Sequence, residues 1–223
     1  MTGPPPSSAL FHKREALLRL ACAVRETGYH FVTVSPATHA RVNARPDARQ
    51  AKDPRGVLGW SQPFRPSALS PSIFSLMQEA DVLRPHGDGW RSLIRFSTLH
   101  GALFAHSAYP TEAADAVFFG PDTYRFALAI EAQLAQREEP VRRAVDVGCG
   151  AGVGAILVAR AHPGAEVRAG DVNGAALRLT EVNAALAGTP NVTVCESDVL
   201  AGVEGRFDLI VSNPPFVPGP ARV

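Results

Sequence analysis

From about Phe118 onward the sequence alternates between short apolar runs and segments with helical spacing. No other feature constrains the fold as strongly. Pro121 to Gln136 sets Phe126, Ile130 and Leu134 along one stripe, and Ala144 to Val147 is a short apolar run. A helix is expected from about Gly152 to Ala161, then a strand at Val167 to Ala169 ending at Asp171. Asn173 to Leu186 reads as a helix, Val192 to Cys195 as a strand, and Phe207 to Val211 as a fourth strand. Strands alternating with helices of this length predict a doubly wound parallel sheet of the α/β class.

Residues 1–110 do not share that rhythm. Lys13 to Thr27 has Leu17, Leu20, Ala21 and Val24 at helical spacing, with Gly28 as a stop. Phe31 to Val34 reads as a short strand, and the polar, proline-punctuated stretch 43–56 as a loop. Ser70-Pro71 is a helix start, a serine cap followed by proline at the first helical position, with Ile73, Leu76, Met77 and Ala80 on one buried face. Trp90 to Phe96 and Gly101 to His106 read as two strands joined by a turn. The expected organisation is a disordered segment 1–8, a smaller α+β accessory domain over 9–110, winged-helix-like and concerned with substrate recognition, and the parallel-sheet domain over 111–223.

Charge divides in the same place. Residues 1–110 carry 13 Lys and Arg against 7 Asp and Glu, whereas residues 111–223 carry 9 against 14. A basic front half joined to an acidic half suits an enzyme that handles nucleic acid, because phosphate contacts give sequence-independent affinity; surface arginines that merely solvate the protein would give the same count. No apolar stretch is long enough to span a bilayer, and Met1 to Ser8 lacks the basic-then-apolar order of a signal peptide. Cys22, Cys149 and Cys195 form no metal-binding pair and no disulfide framework, so neither zinc nor any other metal is expected and a cytoplasmic setting is. Nothing in the sequence sets the oligomeric state.

Ligands of open parallel sheets bind beyond the carboxyl ends of the strands, where strand order reverses. The chemistry-bearing residues all lie at such ends. Asp146, Gly148, Gly150 and Gly152 follow the first strand, Asp171 the second, Asp198 and Val199 the third, and Asn213-Pro214-Pro215-Phe216 the fourth. The glycines would let backbone approach a cofactor closely, although Val153 takes the place of the third glycine of a G-x-G-x-x-G turn. Asp171 stands 21 residues beyond Gly150, where an acid binds ribose hydroxyls, a spacing common to S-adenosylmethionine and NAD sites. Asp171 could equally cap the helix that follows, and Asp198 could be a surface turn acid.

Residues 118–216 resemble class I S-adenosylmethionine-dependent methyltransferases. The likeness is strongest to the group with release-factor glutamine methyltransferases and amino methyltransferases of RNA and DNA bases. The resemblance implies a Rossmann-like sheet in which Asp146, Gly148, Gly150 and Gly152 line the methionine part of S-adenosyl-L-methionine. It also implies that Asp171 holds the ribose, with Asp198 at the adenine amino group and Val199 beside it. By the same likeness, Asn213 and the Pro214 carbonyl accept hydrogen bonds from a target –NH2, and Pro215 and Phe216 complete a platform on which the planar target stacks. Phe118 to Thr123 is similar to the segment preceding the first motif in the glutamine enzymes, but Gly120 stands where an arginine is usual and Tyr124 where an acid is usual.

The implied reaction is N-methylation of a planar nitrogen, with an RNA base or a protein glutamine as the partner and no membrane involved. An NAD-dependent oxidoreductase, or a non-catalytic cofactor- or RNA-binding subunit, are the alternatives. Only seven residues follow Phe216, whereas a parallel crossover needs roughly 30; the expectation is therefore a sheet that is incomplete at its C-terminal side, in a fragment of a longer protein.

Overall fold

The computed structural model describes residues 8–214, with side chains from residue 12. Most of the expected disordered start, residues 1–7, lies outside them, as do Pro215 and Phe216. Ser8 does not belong to a disordered tail: it opens α1 (Ser8–Glu26), five residues earlier than the apolar spacing indicates. Helix α1 packs against α4 (Pro71–Glu79) on one side and α7 (Gly174–Ala187) on the other. Leu20, Ala21 and Val24 thus join the central core. The cap of α4 forms as expected, the Ser70 hydroxyl accepting from the Ile73 N–H at 3.3 Å.

Three readings of the front half need correction. Phe31 to Val34 forms no ladder: the Phe31 carbonyl accepts from the Thr98 N–H and hydroxyl and the Thr33 N–H donates to the Tyr124 hydroxyl, so scattered bonds replace a strand pairing. The stretch 43–56 is not all loop. It holds α2's end (Pro36–Asn43), a 3-10 turn at Pro46–Ala48 and the start of α3 (Pro54–Leu58), whose Asp53 cap accepts from the Gly56 N–H at 2.8 Å. Trp90 to Phe96 is two strands. β2 (Gly89–Ser92) pairs backwards onto β1 (Leu83–His86), and after Leu93 the chain enters β3 (Ile94–Leu99), which pairs with β4 (Ala102–Ser107). The Ser92 hydroxyl bridges the break, accepting from the Ile94 N–H and donating to the Ile94 carbonyl. Helices α1 to α4 followed by two hairpins make an α+β arrangement.

The back half follows the alternation. After α5 (Pro121–Gln136) come β5 (Arg143–Val147), α6 (Val153–Ala161), β6 (Glu166–Asp171), α7, β7 (Val192–Glu196) and β8 (Leu209–Ser212). The four strands are parallel in the order β7-β6-β5-β8. The chain therefore winds outward from β5 in one direction through β6 and β7, then returns to the other side of β5 as β8. That reversal between β5 and β8 is the switch point of a Rossmann-like sheet. Helix α6 is apolar nearly all round, with Val153 to Ala159 all buried, as expected of a helix enclosed between a sheet and other helices. No helix among the described residues is long and apolar enough to cross a membrane.

Candidate functional site

The bend after β5 is a succession of left-handed residues. Gly148, Gly150 and Gly152 have φ of 68°, 55° and 79°, conformations in which a side chain is strained. The three glycines serve different ends. A Cβ on Gly152 would meet Thr180 at 2.7 Å, so this glycine seats α6 against α7. A Cβ on Gly148 would meet nothing within 4 Å, and one on Gly150 only Val117 at 4.0 Å. Those two turn bare backbone toward open space at the carboxyl end of the sheet. Gly154, inside α6, would place a Cβ 2.7 Å from the Asp146 carboxylate and so must also be small.

Asp146 lies beneath the bend. It is 2 % exposed, and its Oδ2 accepts from the Ala155 N–H at 2.9 Å. Burial pushes its carboxyl up to about 7; the Asp171 charge adds to this, while the Ala155 and Gly154 N–H groups oppose it. Asp171 ends β6 and joins the two loops: Oδ2 accepts from the Gly150 N–H at 3.0 Å and Oδ1 from the Asn173 N–H at 2.9 Å. Capping and site-building are thus the same act here, because Asn173 itself caps α7 by accepting from Ala175. Each carboxylate oxygen keeps a further lone pair for an incoming hydroxyl.

Beyond β7, Ser197 is buried and its hydroxyl accepts from the Gly202 N–H at 2.9 Å, shaping the turn that carries Asp198 and Val199. Asp198 is exposed and Val199 takes a left-handed φ of 53° with its side chain 63 % exposed. At β8 the ladder pairs Val147 with Ser212, and the Ser212 hydroxyl donates to the Val147 carbonyl at 2.8 Å. Gly148 and Asn213 therefore leave the sheet side by side at the switch point. Asn213 is half-buried and its amide makes no hydrogen bond among the described residues; Pro214 is exposed. Pro215 and Phe216 lie outside the described residues.

Two supporting residues escaped the sequence reading. Thr180 and Asn183 sit on the buried stripe of α7 with Ala176, Leu179 and Leu186. The Thr180 hydroxyl donates to the Gly150 carbonyl at 3.1 Å. Asn183 Oδ1 accepts from the Ala105 N–H at 2.8 Å, and its Nδ2 donates to the carbonyls of Ala105 and Ala151, both at 2.9 Å. Asn183 thus fastens β4 of the front half to the glycine bend. The signal was present: a polar side chain at a core position of an apolar helix must have a partner. Cys149, inside the bend, is buried with its thiol pushed up by desolvation first and by Asp146 second, which removes it as a nucleophile.

Residues 128–222 match the family described as methyltransferase small domain. Release factor glutamine methyltransferase of Deinococcus radiodurans is 44 % identical over 109 residues, 48 % of this chain and 38 % of that protein. Ribosomal RNA small subunit methyltransferase C of Serratia proteamaculans is 40 % identical over 77 residues, 34 % of this chain and 22 % of that protein. Among solved structures, a T. thermophilus 16S rRNA N2 methyltransferase in complex with AdoMet and guanosine is similar with a TM-score of 0.45 at 21 % identity, covering 86 % of this chain and 57 % of that one. The chain spans well under half the length of these curated relatives.

Proposed function

We propose that this chain belongs to an S-adenosylmethionine-dependent N-methyltransferase that acts on a planar amino or amide nitrogen, in RNA or in a protein glutamine, in the cytoplasm. One observation carries the reading: bare, left-handed Gly148 and Gly150 face open space beside Asn213 at the switch point of the sheet. The residues fit the cofactor, since the space a Cβ would fill is open at these two glycines and blocked at Gly152. Gly148 and Gly150 would receive its methionine part and Asp171 its ribose, with Asp198 and Val199 near the base. When bound, S-adenosylmethionine supplies a methyl group already activated by the sulfonium. Asp146, being enclosed, acts as a positioning residue: it holds the start of α6 and through it the bend.

The acceptor side needs little chemistry from the protein beyond orientation. An amide or aromatic amine is a poor nucleophile because its lone pair is delocalised. Asn213 Oδ1 and the Pro214 carbonyl are acceptors, and Pro214 brings no competing N–H. Accepting from the two N–H bonds of the target orients the nitrogen and stabilises the positive charge that develops on it. The proton leaves to water afterwards, so no general base is required. Pro215 and Phe216, next in the chain, supply the rest of this grip in the proposal, and the segment 9–110 acts as the recognition domain.

Calorimetric titration tests the cofactor assignment. The chain should bind S-adenosylmethionine at least about tenfold tighter than NAD, and Gly148→Val should abolish that binding. Tighter binding of NAD would overturn the assignment. With tritiated cofactor and either unmodified rRNA transcripts or purified release factor, Asn213→Ala should lose methyl transfer while keeping cofactor affinity within a few-fold. Preserved turnover at saturation would refute the role of Asn213.

A further inference from the structure

A cleft of about 630 Å3 separates the front half from α7. Its floor is the β1–β2 hairpin, one wall is α1, and the opposite wall is the start of α7 with the loop 107–116. That loop also borders the glycine bend. The Asp115 carbonyl accepts from Asn173 Nδ2 at 2.9 Å, and Val117, which follows the loop, lies 4.0 Å from where a Cβ on Gly150 would stand. The cleft and the proposed cofactor site thus share a wall.

The hairpin floor carries an arrangement that folding alone does not favour. Arg84 and Arg91 are register partners directly opposite each other on β1 and β2, where like charges destabilise a strand pair. Arg178 of α7 lines the same cleft. Among the described residues none of these three guanidiniums has a carboxylate partner. Arg91 Nε is moreover buried without a hydrogen-bond acceptor. Burial and the Arg84 charge both hold the Arg91 guanidinium below its ordinary value. The other cations of the cleft are spoken for, Lys13 by Asp81 and Arg14 by Glu181. Two acids, Glu112 and Asp115 on the loop 107–116, line the cleft as well.

We infer that this cleft is a phosphate-binding track and that Arg84, Arg91 and Arg178 grip the backbone of an RNA substrate beside the methyl-transfer site. An anion between Arg84 and Arg91 removes their mutual repulsion. Guanidinium suits this role because its planar fork matches phosphate oxygens. The loop 107–116 lies between this track and the proposed cofactor site. This inference deepens the methyltransferase reading by choosing RNA over protein, and it rests on that reading for the chemistry though not for the binding.

The test measures fluorescence anisotropy of the full chain with a fluorescein-labelled single-stranded RNA of about 20 nucleotides, without cofactor. Replacing both hairpin arginines, Arg84→Ser with Arg91→Ser, should weaken binding about tenfold at 0.1 M salt and reduce the slope of log affinity against log salt by about 2. Arg84→Lys with Arg91→Lys should restore most of the slope, which a folding defect would not allow. S-adenosylmethionine titration of the serine variant should match the wild type. Failure of that titration in wild type sinks the methyltransferase reading alone. Absent RNA binding, an unchanged salt slope in the serine variant, or a loss of affinity for purified release factor with RNA binding intact would overturn the track.

Discussion

Two regions of the molecule bury polar side chains, and they treat them differently. At the seam of β4, α7 and the glycine bend, Asn183 makes three hydrogen bonds to backbone, Thr180 donates to Gly150, and Asp146 accepts from Ala155. In the front half, Arg95 on β3 is only 3 % exposed, yet its Nε and Nη1 have no acceptor. His39 Nε2 nearby is likewise without one. Tyr29, Tyr124 and Tyr109 are the groups whose charge bears on the guanidinium, and among the described residues no carboxylate pairs with it. A buried polar group that is fully bonded fixes geometry, whereas one left unbonded costs free energy without fixing anything. The seam therefore acts as the rigid part that positions the site, and the Arg95 region is where stability is given up.

The largest effect should come from breaking the seam. Asn183→Ala leaves the Ala105 N–H, the Ala105 carbonyl and the Ala151 carbonyl without the side chain that satisfies them. At about 1–3 kcal/mol for each buried unsatisfied group, the loss should be about 5 kcal/mol. Urea unfolding measures it, and a loss under about 1 kcal/mol would show that β4 and the bend hold together without Asn183.

Asp146 belongs to the same seam but carries a pH signature. Its native carboxyl titrates at about 7 because burial dominates, against 3.8 for the ordinary group. The native state thus holds a proton that the unfolded chain has already lost between about pH 4 and pH 7. Stability from this group is greatest below that window and falls as pH rises through it, by roughly 4 kcal/mol in all. Asp146→Asn keeps an acceptor for Ala155 and removes the titration. Its unfolding free energy, measured from pH 4 to pH 8, should lack that decline. Parallel profiles for variant and wild type would refute the raised value.

How far these regions were legible depended on local pattern. The strands and helices after Phe118 were readable because each apolar run is bounded by glycine, proline or a capping residue, so period and boundary agree. The switch-point residues followed from that order without any knowledge of contacts. β1 was not readable. Leu83-Arg84-Pro85-His86 has neither alternation nor strand propensity, and it is a strand because Gly87, at φ 57°, turns the chain so that β2 can pair with it. Phe31 to Val34 failed in the opposite sense, having strand composition but only scattered bonds to Thr98, Ser97 and Tyr124 in place of a ladder. Thr180 and Asn183 left a signal, two polar residues on an apolar stripe, but their targets lie 30 and 78 residues away along the chain. Separation of that order hides a partner from any local pattern.

The smallest expected effect has the opposite sign and tests the unsatisfied region directly. Arg95 is desolvated and its guanidinium is lowered to about 10, with only tyrosines to offset the burial. Replacing a buried charge that lacks a partner by an apolar side chain of similar length removes a desolvation penalty and restores packing. Arg95→Met should therefore stabilise the fold by about 1–2 kcal/mol at pH 7, read as an upward shift of the urea midpoint with an unchanged slope. It should leave S-adenosylmethionine binding as it was, because among the described residues no hydrogen bond or ion pair joins Arg95 to the glycine bend or to Asn213. A variant destabilised by more than about 2 kcal/mol would mean that Arg95 is bonded as fully as Asn183, and the contrast between the two regions would be lost.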